Sequence, residues 1–184
     1  MELLMGIIRM PSFEDYWSWN TRYNLIADVM PVKRFKKLRR LLHAQDNTAD
    51  ANGVRLFKIR PLLDMIRANC IKTKGENLYS IDEMMISYKG TKAGNLRQYM
   101  PKKPKKWGFK MFVRAGVSGM VYDFFIYTGF TTFDNMAFSP TESKLGSGDK
   151  VVKQLCKTIP NPTQSIVYFD NWFTSLDLIV LLKN

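Results

Sequence analysis

Leu78-Tyr79-Ser80-Ile81-Asp82-Glu83-Met84-Met85-Ile86-Ser87-Tyr88 reads as a β-strand. It is rich in aliphatic and aromatic residues, and it carries two adjacent carboxylates near its middle. Two further stretches of the same character follow, Gly108 to Val117 and Val121 to Tyr127, each bounded by turn residues. Ser118-Gly119 between them is a short hairpin signal, so these two strands are expected to be antiparallel neighbours. The Gly/Ser/Pro-containing stretch from Gly129 to Gly148 is longer than a routine connection. After it, Val151, Val152, Leu155, Cys156 and Ile159 form a helical stripe that ends at Pro160. Ser165 to Phe169 then reads as a short buried strand. Thr174-Ser175-Leu176-Asp177 matches a capping box and opens a helix through Leu178, Ile179, Leu181 and Leu182.

The order is three strands, a helix, a strand and a helix, with no internal repeat. Three meandering strands followed by a helical crossover to a fourth is the beginning of a ribonuclease H-like α/β layout, in which the first and fourth strands lie side by side. Each delivers one Asp: Asp82 within the first and Asp170 at the end of the fourth. Upstream the pattern is helical. Val32, Phe35, Leu38, Leu41 and Leu42 repeat at helical spacing after Pro31, with Lys33, Arg34, Lys36, Lys37, Arg39 and Arg40 between them. Glu14 to Met30 and Arg60 to Lys72 also read as helices, and a polar linker covers Asp46 to Gly53. The expected organisation is a helical region over residues 1–73 and an α/β region over residues 74–184.

Composition limits what this chain can be. Its 184 residues give room for one domain with a helical extension. With 46% hydrophobic and 13% aromatic residues it can bury a sizeable core. The balance of 28 basic against 16 acidic residues leaves +12, which favours a polyanionic partner. The excess is uneven. Six of the eight residues from Lys33 to Arg40 are basic, and Lys89 to Lys110 holds eight basic residues and no Asp or Glu. The basic face of the 32–43 helix is either simply solvated or in contact with phosphate. Cys70 and Cys156 stand far apart without a CxxC pairing and there is a single His, so neither a disulfide framework nor a Cys/His zinc site is indicated, and a reducing, intracellular setting fits. Leu3 to Ile8 is too short for a signal h-region, and no stretch has the length of a membrane-spanning helix.

Asp82 and Asp170 are the candidate catalytic and metal-ligating residues. Phosphodiester chemistry needs an activated water or hydroxyl and a means of absorbing charge on the leaving oxygen, and divalent ions held by clustered carboxylates do both. Spacing alone leaves other roles open: a carboxylate tied to backbone N–H groups at a strand-to-helix turn for Asp170, and simple exposure for Asp82 and Glu83. Lys102, Lys103, Lys105 and Lys106, with Lys110, Arg97 and Tyr99, are the candidate nucleic-acid contacts. Pro101 and Pro104 are expected to stiffen an extended backbone that spreads the lysines along a row of phosphates. Tyr99 could stack on a base or pack on its neighbours.

The sequence also resembles a known family. Ser80 to Gly90, then Arg97-Gln98-Tyr99-Met100-Pro101-Lys102-Lys103-Pro104-Lys105-Lys106-Trp107-Gly108-Phe109-Lys110, is similar to the first catalytic segment of piggyBac-type transposases. Val121-Tyr122-Asp123-Phe124 with Tyr127-Thr128-Gly129, and Phe169-Asp170-Asn171-Trp172-Phe173-Thr174-Ser175, resemble the segments that follow. Glu14-Asp15-Tyr16-Trp17 and Arg34 to His43 resemble the family's helical dimerisation and DNA-binding region. The resemblance covers almost the whole chain, with its motifs in order. Gly116 departs from the pattern, since relatives often carry Asp there. The resemblance implies a cut-and-paste DNA transposase with a ribonuclease H-like core that uses three Asp and Mg2+. It also implies duplex DNA and a second copy of the chain as partners, a nuclear location, and neither a membrane nor a small-molecule substrate. The first two Asp correspond to Asp82 and Asp170. The third belongs to a later segment than residues 1–184, as does a Cys-rich zinc-binding tail, and Asp177 reads as the capping-box acid. The expectation is therefore a DNA-binding remnant, inactive as this stretch alone. The alternative is an active magnesium-dependent transposase of which this stretch is one part.

Overall fold

The computed structural model describes residues 1–46, 48, 56–90 and 93–183. Most of the expected linker over 46–53 lies outside them. The chain divides into two compact units, one reaching Arg60 and the other beginning at Pro61.

The first unit contains α1 (Glu2–Ile7), α2 (Asn24–Ala27) and α3 (Val32–Leu41). The single helix expected over Glu14 to Met30 is not formed. Instead Phe13–Trp17 makes a 3₁₀ turn capped by Ser12, with Asp15 reciprocating, and α2 follows as one short helical turn. Trp17 explains the break. Its ring packs 5.2 Å from Phe35 of α3 while its Nε1 donates to the Met30 carbonyl at 2.8 Å. Tertiary packing of one aromatic residue thus overrides the helical pattern.

The second unit is a sheet between helices. Its strands are β1 (Leu78–Ser87), β2 (Arg97–Tyr99), β3 (Trp107–Gly116), β4 (Val121–Ile126) and β5 (Ile166–Phe169), joined by α4 (Arg60–Lys72), α5 (Ser147–Cys156) and α6 (Leu176–Lys183). The sheet runs β2-β3-β1-β5, and β4 also pairs with β3. The expected hairpin joins β3 to β4, with Gly119 at φ 81° in its turn, a conformation that costs glycine little. β1 and β5 are parallel neighbours, with Ile81 opposite Phe169. β2 has no counterpart in the sequence reading; at three residues it is too short to show a period. The capping residue of α6 is Ser175, whose Oγ accepts from Leu178 N at 3.1 Å. Thr174, the expected cap, instead donates to the Asp170 carbonyl at 2.9 Å.

Two apolar layers form the core. Ile81 of β1, Phe112 of β3 and Phe125 of β4 pack with Val151, Val152 and Leu155 of α5, Leu178 of α6 and Phe173. Each fully buried aliphatic or aromatic side chain here contributes about 1.5–3 kcal/mol. Met111, Val113 and Phe124 gather Leu63 and Cys70 of α4. α4, read from sequence as part of the helical region, is thereby fastened to the sheet. A buried charge pair fixes it further: Asp123 on β4 has no exposed side-chain surface, and Arg67 of α4 reaches its two oxygens at 2.6 and 3.2 Å. Thr158 donates to the same carboxylate at 2.7 Å, and the backbone N–H of Phe124 does so at 2.7 Å. Both cysteines are free, and burial pushes the Cys156 thiol up to about 11, so it is a packing residue. Among the described residues no helix is long and apolar enough to cross a membrane.

Breaking the charge pair leaves Arg67, and Arg114 nearby, without a counter-charge. Asp123→Ala should cost about 3–5 kcal/mol in urea unfolding. An Asp123→Ala variant within about 1 kcal/mol of the parent, well below the cost of an uncompensated buried charge, would show that the pair does not hold α4 in place.

Candidate carboxylate site and nucleic-acid interface

The β1–β5 register sets the site. Ile81 stands opposite Phe169, so Asp82 and Asp170 are the residues that directly follow the last paired position of two adjacent parallel strands. β1 continues beyond that point and β5 stops. Asp170 has extended backbone angles and caps a 3₁₀ turn over Asn171–Phe173, its Oδ1 accepting from Trp172 N at 2.9 Å. Phe173 is buried in the α5 layer, which draws the chain away from the sheet immediately after the Asp. Gly148 of α5 permits this close approach: a Cβ there would lie 2.5 Å from the Trp172 carbonyl oxygen and 3.1 Å from the Phe173 Cα.

Asp82 is exposed, and its Oδ1 accepts from Glu83 N at 2.7 Å. Its Oδ2 meets the Lys103 ammonium at 3.3 Å. The same ammonium donates to the Glu83 carbonyl at 3.0 Å and lies 3.4 Å from the Glu83 carboxylate. Desolvation works to lower the Lys103 pKa, but Asp82 and then Glu83 more than offset it and hold the group above the ordinary lysine value. Glu83, expected to be exposed, is thus half-buried and paired.

Lys110 is differently placed. Its Nζ sits over the rings of Phe112 and Trp172, 4.8 Å from each centroid, and 5.7 Å from that of Tyr127. Desolvation pulls it below the ordinary lysine range, against the attraction of Glu83, Asp170 and Asp82. Its position is fixed by the aromatic faces that surround it.

The basic segment corrects one expectation. Residues 100–106 do not run extended; they form the loop of the β2–β3 hairpin, closed by Met100 N to Lys106 O at 2.8 Å and Lys103 N to Met100 O at 3.2 Å. Pro101 and Pro104 therefore shape a turn. Lys102, Lys105 and Lys106 face solvent, and Lys103 turns inward. Arg97 stacks on Trp107, with its guanidinium carbon 4.3 Å from the ring centroid, and Tyr99 packs against the same ring at 4.8 Å. Tyr99 and Trp107 each keep about half their surface exposed. In the other unit, Lys36 and Arg39 of α3 are engaged with Glu14 and Glu2, whereas Lys33, Arg34, Lys37 and Arg40 are exposed.

Sequence reasoning missed the inward role of Lys103 and the part played by Trp172. Composition shows four lysines in a row but not which of them faces the acids. At Gly116 an added Cβ would lie 2.6 Å from the Glu76 carboxylate, so that space is filled by a side chain from another element. Among the described residues no group of three or more His, Cys, Asp or Glu is placed to hold a metal ion.

Comparison with known proteins decides the family. A family model described as "Transposase IS4" matches residues 1–184. The PiggyBac transposable element-derived protein 3 of Homo sapiens is 28% identical over 187 residues, covering 98% of this chain. The chain belongs to the piggyBac-type transposase family. The human Chimeric ERCC6-PGBD3 protein is also 28% identical over 98% of the chain. A cryo-EM structure of a piggyBac transposase synaptic complex with hairpin DNA superimposes with a TM-score of 0.76 at 24% identity, over 96% of this chain, so the fold is shared. The chain spans 30% and 17% of the length of the two human proteins and 36% of the solved one.

The Gly148 contact yields a test of how the site is held. Gly148→Ala forces the turn after Asp170 away from α5 and should cost about 1–3 kcal/mol of stability in thermal or urea unfolding. A Gly148→Ala variant as stable as the parent would remove this contact from the account.

Proposed function

We propose that this chain is a transposon-derived DNA-binding protein with a ribonuclease H-like core, in which Asp82 and Asp170 hold Mg2+ beside a duplex contacted by the basic hairpin loop. The observation that supports the reading is the parallel β1–β5 pairing, which puts Asp82 and Asp170 directly after the paired residues Ile81 and Phe169, with Lys103 of the basic hairpin loop in contact with Asp82. The donor chemistry fits. Magnesium takes oxygen ligands, keeps several waters and binds through one or two carboxylates plus substrate phosphates. Both Asp are exposed, and the ion pair of Lys103 with Asp82 is itself partly exposed. When bound, such an ion stabilises negative charge on a phosphate oxygen. Lys102, Lys105 and Lys106 would hold phosphates by charge without reading bases, and half-exposed Tyr99 and Trp107 offer a ring to a base. The solved relative is a complex with hairpin DNA, which supports DNA as the partner here. A nuclear location and pairing of two copies belong to the same proposal.

Residues 1–184 on their own are proposed to bind DNA without cleaving it, because among the described residues no third acidic or His/Cys ligand joins the two carboxylates to complete the set that a pair of metal ions requires. The Asp82–Asp170 register favours a second reading, metal-dependent phosphodiester transfer, for a longer chain that adds a further carboxylate.

Duplex binding, followed by fluorescence anisotropy over a salt series, should weaken steeply as salt rises. The triple variant Lys102→Ala, Lys105→Ala, Lys106→Ala should flatten the log–log slope by about 0.9 per lysine. An unchanged slope would exclude this loop as the interface. Magnesium-dependent nicking by residues 1–184, lost in Asp82→Ala and in Asp170→Ala, would overturn the non-cleaving reading in favour of the enzyme.

A further inference from the structure

The contact between Lys103 and the two acids of β1 has no counterpart in the function proposed so far. An ammonium has three N–H donors. Lys103 donates to Asp82 Oδ2 at 3.3 Å and to the Glu83 carbonyl at 3.0 Å, and its ammonium lies 3.4 Å from Glu83 Oε1 as an ion pair. In this arrangement the Lys103 ammonium is directed at β1, although its neighbours Lys102, Lys105 and Lys106 all face solvent. Its positive charge also lies against the carboxylate oxygen that a divalent ion would use. Lys103 and the ion compete for Asp82, since two cations cannot share that oxygen without strong repulsion at this range.

We infer that Lys103 is a positioning residue that couples metal entry to DNA contact. With no metal it caps Asp82 and draws the hairpin loop down onto β1. When a divalent ion takes Asp82, the Lys103 ammonium is displaced and joins the neighbouring lysines on the phosphate backbone. The exchange rests on the reading of Asp82 as a metal ligand given above. By linkage it works in both directions: DNA that captures Lys103 raises the metal affinity by the same factor that metal raises the DNA affinity. Lys110 cannot take this part, because its ammonium is held over three aromatic rings on β3, just after β4 and in the turn after Asp170. The loop closure by Met100 and Lys106 lets Lys103 swing while the hairpin keeps its shape.

The test is a Tb3+ titration of the 184-residue chain, read by luminescence sensitised by nearby Trp172, with displacement by Mg2+. Parent, Asp82→Asn, Lys103→Met, Lys103→Gln and Lys103→Arg chains are compared, and circular dichroism confirms that each is folded. Asp82→Asn should weaken binding. Lys103→Met and Lys103→Gln should each tighten it about two- to five-fold, the worth of a partly exposed ion pair. Lys103→Arg should stay near the parent. In duplex anisotropy, the salt slopes of parent and Lys103→Met should coincide without Mg2+ and differ by about 0.9, one phosphate contact, with it. If Asp82→Asn weakens Tb3+ binding but neither neutral variant tightens it, or the slopes coincide with Mg2+ too, the exchange is wrong while the metal site stands. If Asp82→Asn has no effect on Tb3+ binding, the site and the exchange fall together.

Discussion

The parallel pairing of β1 with β5 sets Ile81 opposite Phe169, so that Asp82 and Asp170, 88 positions apart in sequence, each follow directly on that paired position. Parallel neighbours require a crossover, and α5 supplies it, packed on the sheet through Val151, Val152 and Leu155. The same layer buries Phe173, so the chain leaves the sheet directly after Asp170 instead of extending β5. The position of the second carboxylate is therefore a consequence of hydrophobic packing behind the sheet. The close approach of Gly148 to the Trp172 carbonyl is a tight point of that packing.

The electrostatics of the site follow from its setting in a chain of net charge +12. Two lysines balance the acids in different ways. Lys110 is desolvated and fixed among Phe112, Tyr127 and Trp172, where a cation gains from ring faces but little from water. Lys103 comes from a solvent-facing loop and makes ion pairs of the modest strength typical of partly exposed groups. A lysine anchored among aromatic rings and one reaching in from a solvent-facing loop thus stand on the same face of the site.

Much of this architecture was legible in the sequence. β1, β3 and β4 carry long apolar runs between turn residues, α5 has a clear helical stripe, and the adjacency of β1 and β5 follows from the connection rules. The family was legible because whole motifs occur in order, and the family comparisons agree. What could not be read depends on tertiary contacts. β2 exists because Arg97, Gln98 and Tyr99 meet the start of β3, with Arg97 lying on the Trp107 ring. The break between residues 14 and 30 comes from Trp17 docking on Phe35. The inward turn of Lys103 depends on how the 100–106 loop closes, and composition cannot single out one lysine among four.

The central claim is that Asp82 and Asp170 form one cation site, and a double-mutant cycle of Mn2+ binding by calorimetry tests it most directly. If both carboxylates hold the same ion, Asp82→Asn and Asp170→Asn each remove most of the binding free energy, and the double variant loses hardly more than either single one. Losses that add independently, or a single variant that binds Mn2+ as the parent does, would mean that the two carboxylates do not act as one site.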